Sequence, residues 1–296
     1  MTSVRSMGAA AGAGSAAQLR AAFAEGRLVR VAGGHDGLTA RLAEEAGFDA
    51  VWASGLEISA AHGLPDVSLF GLSDYLAAAT TMRQAVGVPV IADCDTGFGD
   101  SLNAAYTMMR FEDSGIAAVC MEDKVFPKRN SFAEAEHDLL PADEFARKID
   151  AAKRSQSTPD TVLIARTEAF NCGTGLDDAV RRCHSYVDAG ADAVFVHSRA
   201  ADPTEVVAFL ERWRRRAPVV IAPTTFYRWT AAEAADAGVL MVIYANHGMR
   251  ATIRSVRETW RRILADGCSG GVEDDIASIA DVFDIAGLDD WLRLAR

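Results

Sequence analysis

An α/β barrel of the TIM type is the fold this sequence predicts, and three observations predict it. Eight short apolar runs alternate with longer stretches of helical spacing along nearly the whole chain. Most of the runs are rich in Val and Ile and lack polar alternation, as parallel strands buried on both faces should. One helix-to-strand junction recurs: Ala46-Gly47-Phe48-Asp49-Ala50-Val51, Ala189-Gly190-Ala191-Asp192-Ala193-Val194 and Ala237-Gly238-Val239-Leu240-Met241-Val242. Glycine just past the last helical turn is the expected C-cap. About eight β–α units in one chain indicate a closed (β/α)8 barrel. A doubly wound sheet, the alternative, usually needs fewer strands.

In order along the chain, residues 1–16 are rich in Ala and Gly and have no long apolar core. They make a poor signal peptide and predict a disordered tail, leaving residues 17–296 as one domain. The expected strands are 28–32, 50–53, 88–92, 117–121, 162–165, 193–196, 219–222 and 240–244. The expected helices between them are 39–46, 76–85, 102–114, 143–152, 176–189, 203–213 and 231–237, and several end in the junction glycine. From about Gly248 the pattern stays helical for longer than a last barrel helix needs, which predicts an extension that reaches another subunit.

The 296 residues carry a net charge of −11, which argues against nucleic acid or an anionic membrane surface as partner. A small anionic substrate is still admissible at a locally positive site. Five scattered cysteines without a CxxC pair suggest neither a disulfide framework nor zinc. No run approaches the ~20 apolar residues of a membrane span, and a cytoplasmic protein is expected.

Catalytic groups of such barrels sit where the strands end at their C-terminal face. Strand two ends in Trp52-Ala53-Ser54-Gly55-Leu56, strand three in Asp93-Cys94-Asp95, and strand four in Glu122-Asp123-Lys124. Strand five ends in Arg166-Thr167-Glu168, strand six in His197-Ser198-Arg199, and strand eight in Asn246-His247. Asp93 and Asp95 alternate along an extended chain and can point the same way. With Glu122 they form a hard oxygen cluster suited to Mg²⁺, with Mn²⁺ as the alternative. The structural alternative is an Asp that caps the next helix. Arg166 and His197 can hold a phosphoryl or carboxylate group, unless Arg166 is spent on Glu168. The Ser54-Gly55-Leu56 turn offers backbone N–H groups to a carboxylate or enolate oxygen. Asp66 reads as a loop Asp or a cap. The segment Met121–Phe132 runs from an acidic strand tip into Pro127, Lys128, Arg129 and Asn130, which suggests a metal site with a lid.

The stretches WASGLEISAAHGLPD, ADCDTGFGD, MEDKVFPKRNS, IARTEAF, GADAVFVHSR and VIYANH together resemble the phosphoenolpyruvate mutase/isocitrate lyase superfamily. Within it they are most similar to the mutase branch, over roughly residues 20 to 265. The resemblance implies a barrel whose last helix is swapped between subunits of a homodimer or homotetramer. It implies interconversion of phosphoenolpyruvate and 3-phosphonopyruvate. It also implies a direct Mg²⁺ ligand in Asp93, with Asp95 and Glu122 acting mainly through metal-bound water. Trp52, Ser54, Gly55 and Leu56 match the pyruvyl pocket. Arg166 and His197 match the phosphoryl-holding pair, Asp66 the nucleophile or phosphoryl-stabilising group, and Lys128 and Asn130 the gating-loop pair.

The same loop separates the branches. Carbon–carbon lyases of the superfamily carry a Cys as acid/base in this run, and here the run is Lys128-Arg129-Asn130-Ser131-Phe132, without a thiol. A phosphonopyruvate hydrolase typically has Thr where Asn130 stands. Four departures bear on substrate choice: Arg129 where mutases more often have a small residue, Asp36 and Asp100 for a usual Asn, and Asn171-Cys172 for a more apolar stretch.

Overall fold

The computed structural model describes residues 12–133 and 138–295. In chain order the elements are α1 (Gly12–Ala24), β1 (Val29–Gly34), α2 (Gly37–Glu45), β2 (Ala50–Ala53), α3 (Gly55–Ala61), α4 (Leu72–Ala85), β3 (Val90–Asp93), α5 (Ser101–Asp113), β4 (Ala118–Glu122) and α6 (Ala142–Arg154). Then come β5 (Val162–Thr167), α7 (Gly175–Asp188), β6 (Ala193–Val196), α8 (Thr204–Trp213), β7 (Val219–Ile221), α9 (Ala231–Ala237) and β8 (Met241–Tyr244). The chain ends in α10 (His247–Asp266), α11 (Ile279–Ala286) and α12 (Leu288–Leu294). The strands pair in parallel in sequence order, and β8 closes on β1.

Period-two alternation divides each strand between two cores. Val31, Trp52, Ile91, Cys120, Ile164, Phe195, Val220 and Ile243 belong to one buried cluster, which fills the barrel. Their neighbours Val51, Ala92, Val119, Met121, Leu163 and Ala165 pack with helix residues such as Met82, Phe111 and Phe145. This two-sided burial is why the runs show no polar alternation.

The recurrent junction has a structural cause. Gly47, Gly115, Gly190 and Gly238 all adopt positive φ. After Gly47 and Gly190, the Asp two residues later ties the next strand's start to its neighbour. Asp49 Oδ2 accepts from Arg30 N at 2.8 Å, and Asp192 Oδ2 accepts from Leu163 N at 2.8 Å.

Two helices lie outside the predicted set. Residues 12–16, expected as part of a disordered tail, are instead the first turns of α1. Ala16, Leu19 and Ala22 are buried in the cluster that fills the barrel. Arg20 donates to the carbonyls of Asp160 and Thr161 just before β5, so α1 lies against the N-terminal end of the barrel. The rest of the expected tail, residues 1–11, lies outside the described residues. The second is α3, which starts where a small-residue turn was expected. Ser54 is its N-cap and accepts from Glu57 N at 3.3 Å. The C-terminal extension is helical as predicted. Only Met249 of α10 is buried, and Trp260, Leu264, Ile279, Phe283 and Trp291 are exposed.

Candidate active site

A cavity of ≈ 60 Å³ sits at the C-terminal ends of the strands. Ten of the twelve predicted site residues line it: Trp52, Ser54, Leu56, Asp66, Asp93, Glu122, Lys128, Asn130, Arg166 and His197. Gly55 and Asp95 stand behind the wall. Gly55 N donates to Asp93 Oδ2 at 3.3 Å, and a Cβ at this position would meet Asp93 Oδ2 at 3.2 Å and the Tyr75 ring at 3.1 Å. The glycine therefore permits the close approach of the Asp93 carboxylate.

Asp95 has a left-handed backbone, with φ 48°, instead of the extended one expected, and stands just behind the cavity-lining Lys128. Asn and Asp tolerate that region better than most residues. Its carbonyl accepts from Glu122 N at 2.7 Å, so the turn after β3 fixes the tip of β4. Its carboxylate lies 2.7 Å from Lys128 Nζ. Burial, only partly offset by Lys128, pushes the Asp95 carboxyl up to about 7. Burial also raises Asp93, again against Lys128 and Arg166.

The lid folds over this cluster. Its base is an antiparallel bridge between Lys124 and Leu139, and its tip is tied down by side chains. Lys128 Nζ reaches Asp66 Oδ1 at 3.1 Å, and Asn130 Nδ2 donates to Asp66 Oδ2 at 2.7 Å. Burial works to raise the Asp66 carboxyl, but Lys128 and the Asn130 amide outweigh it and hold it below the usual range. The backbone N–H of Lys128 donates to Ser68 Oγ at 3.1 Å.

On the opposite wall Arg166 is shared between two carboxylates, 3.2 Å from Glu122 and 2.6 Å from Glu168. Its guanidinium also sits 4.9 Å from the centre of the Phe195 ring. His197 Nδ1 lies 2.7 Å from Glu168 Oε1. Burial lowers the His197 imidazole from its ordinary value despite Glu168, while Arg166 and His197 overcome burial to hold Glu168 well below the carboxylate range.

Glu168 and Lys124 were not among the predicted site residues. Glu168 follows Arg166 by two positions, and Lys124 follows Glu122 by two. That alternation was the available signal. Lys124 is buried, lines the cavity, and donates to Arg129 O at 2.9 Å and Ser131 Oγ at 2.6 Å. Two of the four departures are helix caps. Asp36 caps α2 through Thr39, and Asp100 caps α5 through Leu102 and Asn103. Arg129 lines the cavity. Asn171 reaches Glu168 and His197.

Of the predicted metal residues, Asp93 and Glu122 line the cavity and Asp95 does not, and no three His, Cys, Asp or Glu side chains among the described residues converge as a ready-made cage. Lys128 and Arg166 neutralise Asp95 and Glu122 in its place. The donors are still hard oxygens, and Glu122 Oε1 is buried with no hydrogen-bond partner among the described residues. This chemistry fits Mg²⁺, which keeps several waters and needs few direct carboxylates.

A profile of the phosphoenolpyruvate phosphomutase family matches residues 19–264. The chain belongs to that family. Phosphoenolpyruvate phosphomutase from Streptomyces platensis subsp. rosaceus superposes with a TM-score of 0.93 at 49% identity, covering 94% of this chain and 97% of that one. Phosphonopyruvate hydrolase of Variovorax sp. (strain Pal2) is 40% identical over 91% of this chain and 93% of its own length. A phosphonopyruvate hydrolase crystallised with oxalate and Mg²⁺ superposes with a TM-score of 0.89 at 39% identity, covering 95% and 97%. The chain is therefore an enzyme of the phosphoenolpyruvate phosphomutase family, whose relatives include both mutases and a phosphonopyruvate hydrolase.

Proposed function

We propose that this enzyme is a mutase that interconverts phosphoenolpyruvate and 3-phosphonopyruvate. The observation that carries the reading is the lid, which sets Lys128 and Asn130 together on Asp66 over a small cavity. The P–O bond breaks with its electron pair left on oxygen, giving the enolate of pyruvate. Carbon three of the enolate then gives its π pair to phosphorus as the oxygen pair becomes the carbonyl. Arg166, His197 and Asn130 hold the phosphoryl group, with Asp66 beside it. Trp52, Ser54 and Leu56 hold the pyruvyl part, with Gly55 behind them carrying Asp93. Such a transfer is largely positioning and charge stabilisation, and lid closure excludes the water that would divert phosphorus. Asp93 would hold Mg²⁺, or Mn²⁺, directly, with Asp95 and Glu122 acting through water. When bound, the ion supplies positive charge to the enolate and carboxylate oxygens.

The higher identity to a mutase structure and the presence of Asn130 support isomerisation, while the 40% identity to a hydrolase favours water attack as the second reading. Phosphorus NMR with phosphonopyruvate and Mg²⁺ separates them. Appearance of phosphoenolpyruvate, abolished by EDTA, is expected. Inorganic phosphate without phosphoenolpyruvate would make the enzyme a hydrolase. Asn130→Ala is expected to raise hydrolysis relative to isomerisation, and equal loss of both would remove Asn130 from this role. A cytoplasmic, helix-swapped homodimer or homotetramer completes the proposal, supported by the exposed apolar side chains of α10 to α12.

A further inference from the structure

One donor to Glu168 comes from outside the ring of residues that lines the cavity. Asn171 Nδ2 lies 2.8 Å from Glu168 Oε2 and 2.9 Å from His197 Nδ1. Arg166 NH2 lies 2.8 Å from the same ring nitrogen, and Glu168 Oε1 lies 2.7 Å from it. Two N–H groups and one carboxylate oxygen thus crowd His197 Nδ1. A bare lone pair there would face the carboxylate at 2.7 Å. A hydrogen on Nδ1, directed at Glu168 Oε1, satisfies both. Arg166 then donates to Oε1 at 2.6 Å, while Asn171 and Ser131 Oγ, the latter at 2.6 Å, donate to Oε2. The Asn171 Oδ1 atom is buried with no hydrogen-bond partner among the described residues. Turning the amide over would set that oxygen against the Glu168 carboxylate. The amide thus gives up a partner for its carbonyl to keep its donor end on Glu168.

We propose that Asn171 is a positioning residue of the anion-holding corner. By filling Glu168 Oε2 it fixes the carboxylate, so that Oε1 keeps the hydrogen of His197 on Nδ1 and holds Arg166 at the cavity wall. The inference rests on the phosphoryl-holding role proposed above for Arg166 and His197. The charged groups around His197 are Arg166 and Glu168 from β5 and its loop and Lys124 from the end of β4. The Phe195 and Phe132 rings pack against the imidazole at 5.8 Å and 6.0 Å.

The test reads the His197 ring nitrogens by ¹⁵N NMR in the full chain, assigned with His197→Gln. In the wild type, the neutral ring should carry its hydrogen on Nδ1. Asn171→Leu keeps the volume and removes the donor. With Glu168 one donor short, more of its charge falls on His197, and the imidazole titration should rise by roughly 0.5–1 unit. Asn171→Ser keeps one donor and should fall between. In turnover, KM for phosphonopyruvate should rise roughly 5- to 10-fold with kcat within about twofold, because the phosphoryl charge is held in ground and transition states alike. An unmoved His197 titration in a Leu variant that melts with the wild type would overturn the proposal, as would a fall in kcat at unchanged KM. The ring titration needs no substrate. A shifted ring in a protein that does not turn over phosphonopyruvate would therefore count against the functional reading and not against this one.

Discussion

Lys148 shows at the scale of one residue how the site is held from outside the barrel. It lies on α6, is 3% exposed, and donates to the carbonyl of Thr96 in the turn that carries Asp95. Burial, opposed by Glu144 and Asp100, lowers its ammonium group from 10.5 to about 8. A base with a lowered folded-state value favours the folded protein at high pH, and that contribution is lost as pH falls through about 8. Lys148→Met removes the titration. Between pH 7 and 10 the stability difference should therefore move in favour of the wild type, by up to about 3 kcal/mol. Urea midpoints of both proteins at several pH values check this, and a constant difference would mean the amine is solvated in the fold. The residue scale also shows what a sequence reading of charge misses. Asp36 and Asp100 read as extra negative charge near the site, yet both are spent on capping helices, because a short acidic side chain beside a helix start satisfies free backbone N–H groups.

The lid is the element on which the proposed chemistry depends, and it is held down by charge. Lys128 bridges the lid to Asp66 and Asp95, and Lys124 holds the far side through Arg129 O and Ser131 Oγ while lying 3.6 Å from Glu168. A hydrogen bond from a charged donor is worth roughly 1.5–3 kcal/mol. Lys124→Met should therefore loosen the tip, and trypsin should cut after the exposed Arg129 at least about tenfold faster. Cleavage at the wild-type rate would show that Lys124 contributes nothing to closure. The lid's existence was legible from Pro127 and the polar run that follows. Its latch was not, because Glu168 lies 44 residues beyond Lys124 in the chain and meets it only when β4 and β5 stand side by side.

For the whole molecule, the C-terminal helices carry exposed apolar surface. Trp260 is 60% exposed and Leu264 85% exposed on α10. Apolar side chains of that size are seldom left in water in such number, and a second copy of the chain is the proposed cover. Light scattering should give a mass of two or four chains for the wild type. Trp260→Asp combined with Leu264→Asp should reduce it to one. A wild type already of single-chain mass would dismiss helix exchange. No helix among the described residues is long and apolar enough to cross a membrane.

The sequence by itself determined the barrel and the face on which its polar residues gather. Val- and Ile-rich runs buried on both sides, joined by Gly and Asp junctions, leave few other arrangements. Strand-end position then brought Trp52, Ser54, Leu56, Asp93, Glu122, Arg166 and His197 to one cavity, which Asp66, Lys128 and Asn130 reach from loops. Only the tertiary structure decided how those charges pair. The left-handed turn at Asp95 sends its carboxylate to Lys128, Glu168 gathers Arg166, His197, Ser131 and Asn171, and α1 packs against the barrel's N-terminal end. Alternation states which face a side chain takes, whereas ion pairs between residues 29 to 62 positions apart form only after the strands close and the loops fold over them.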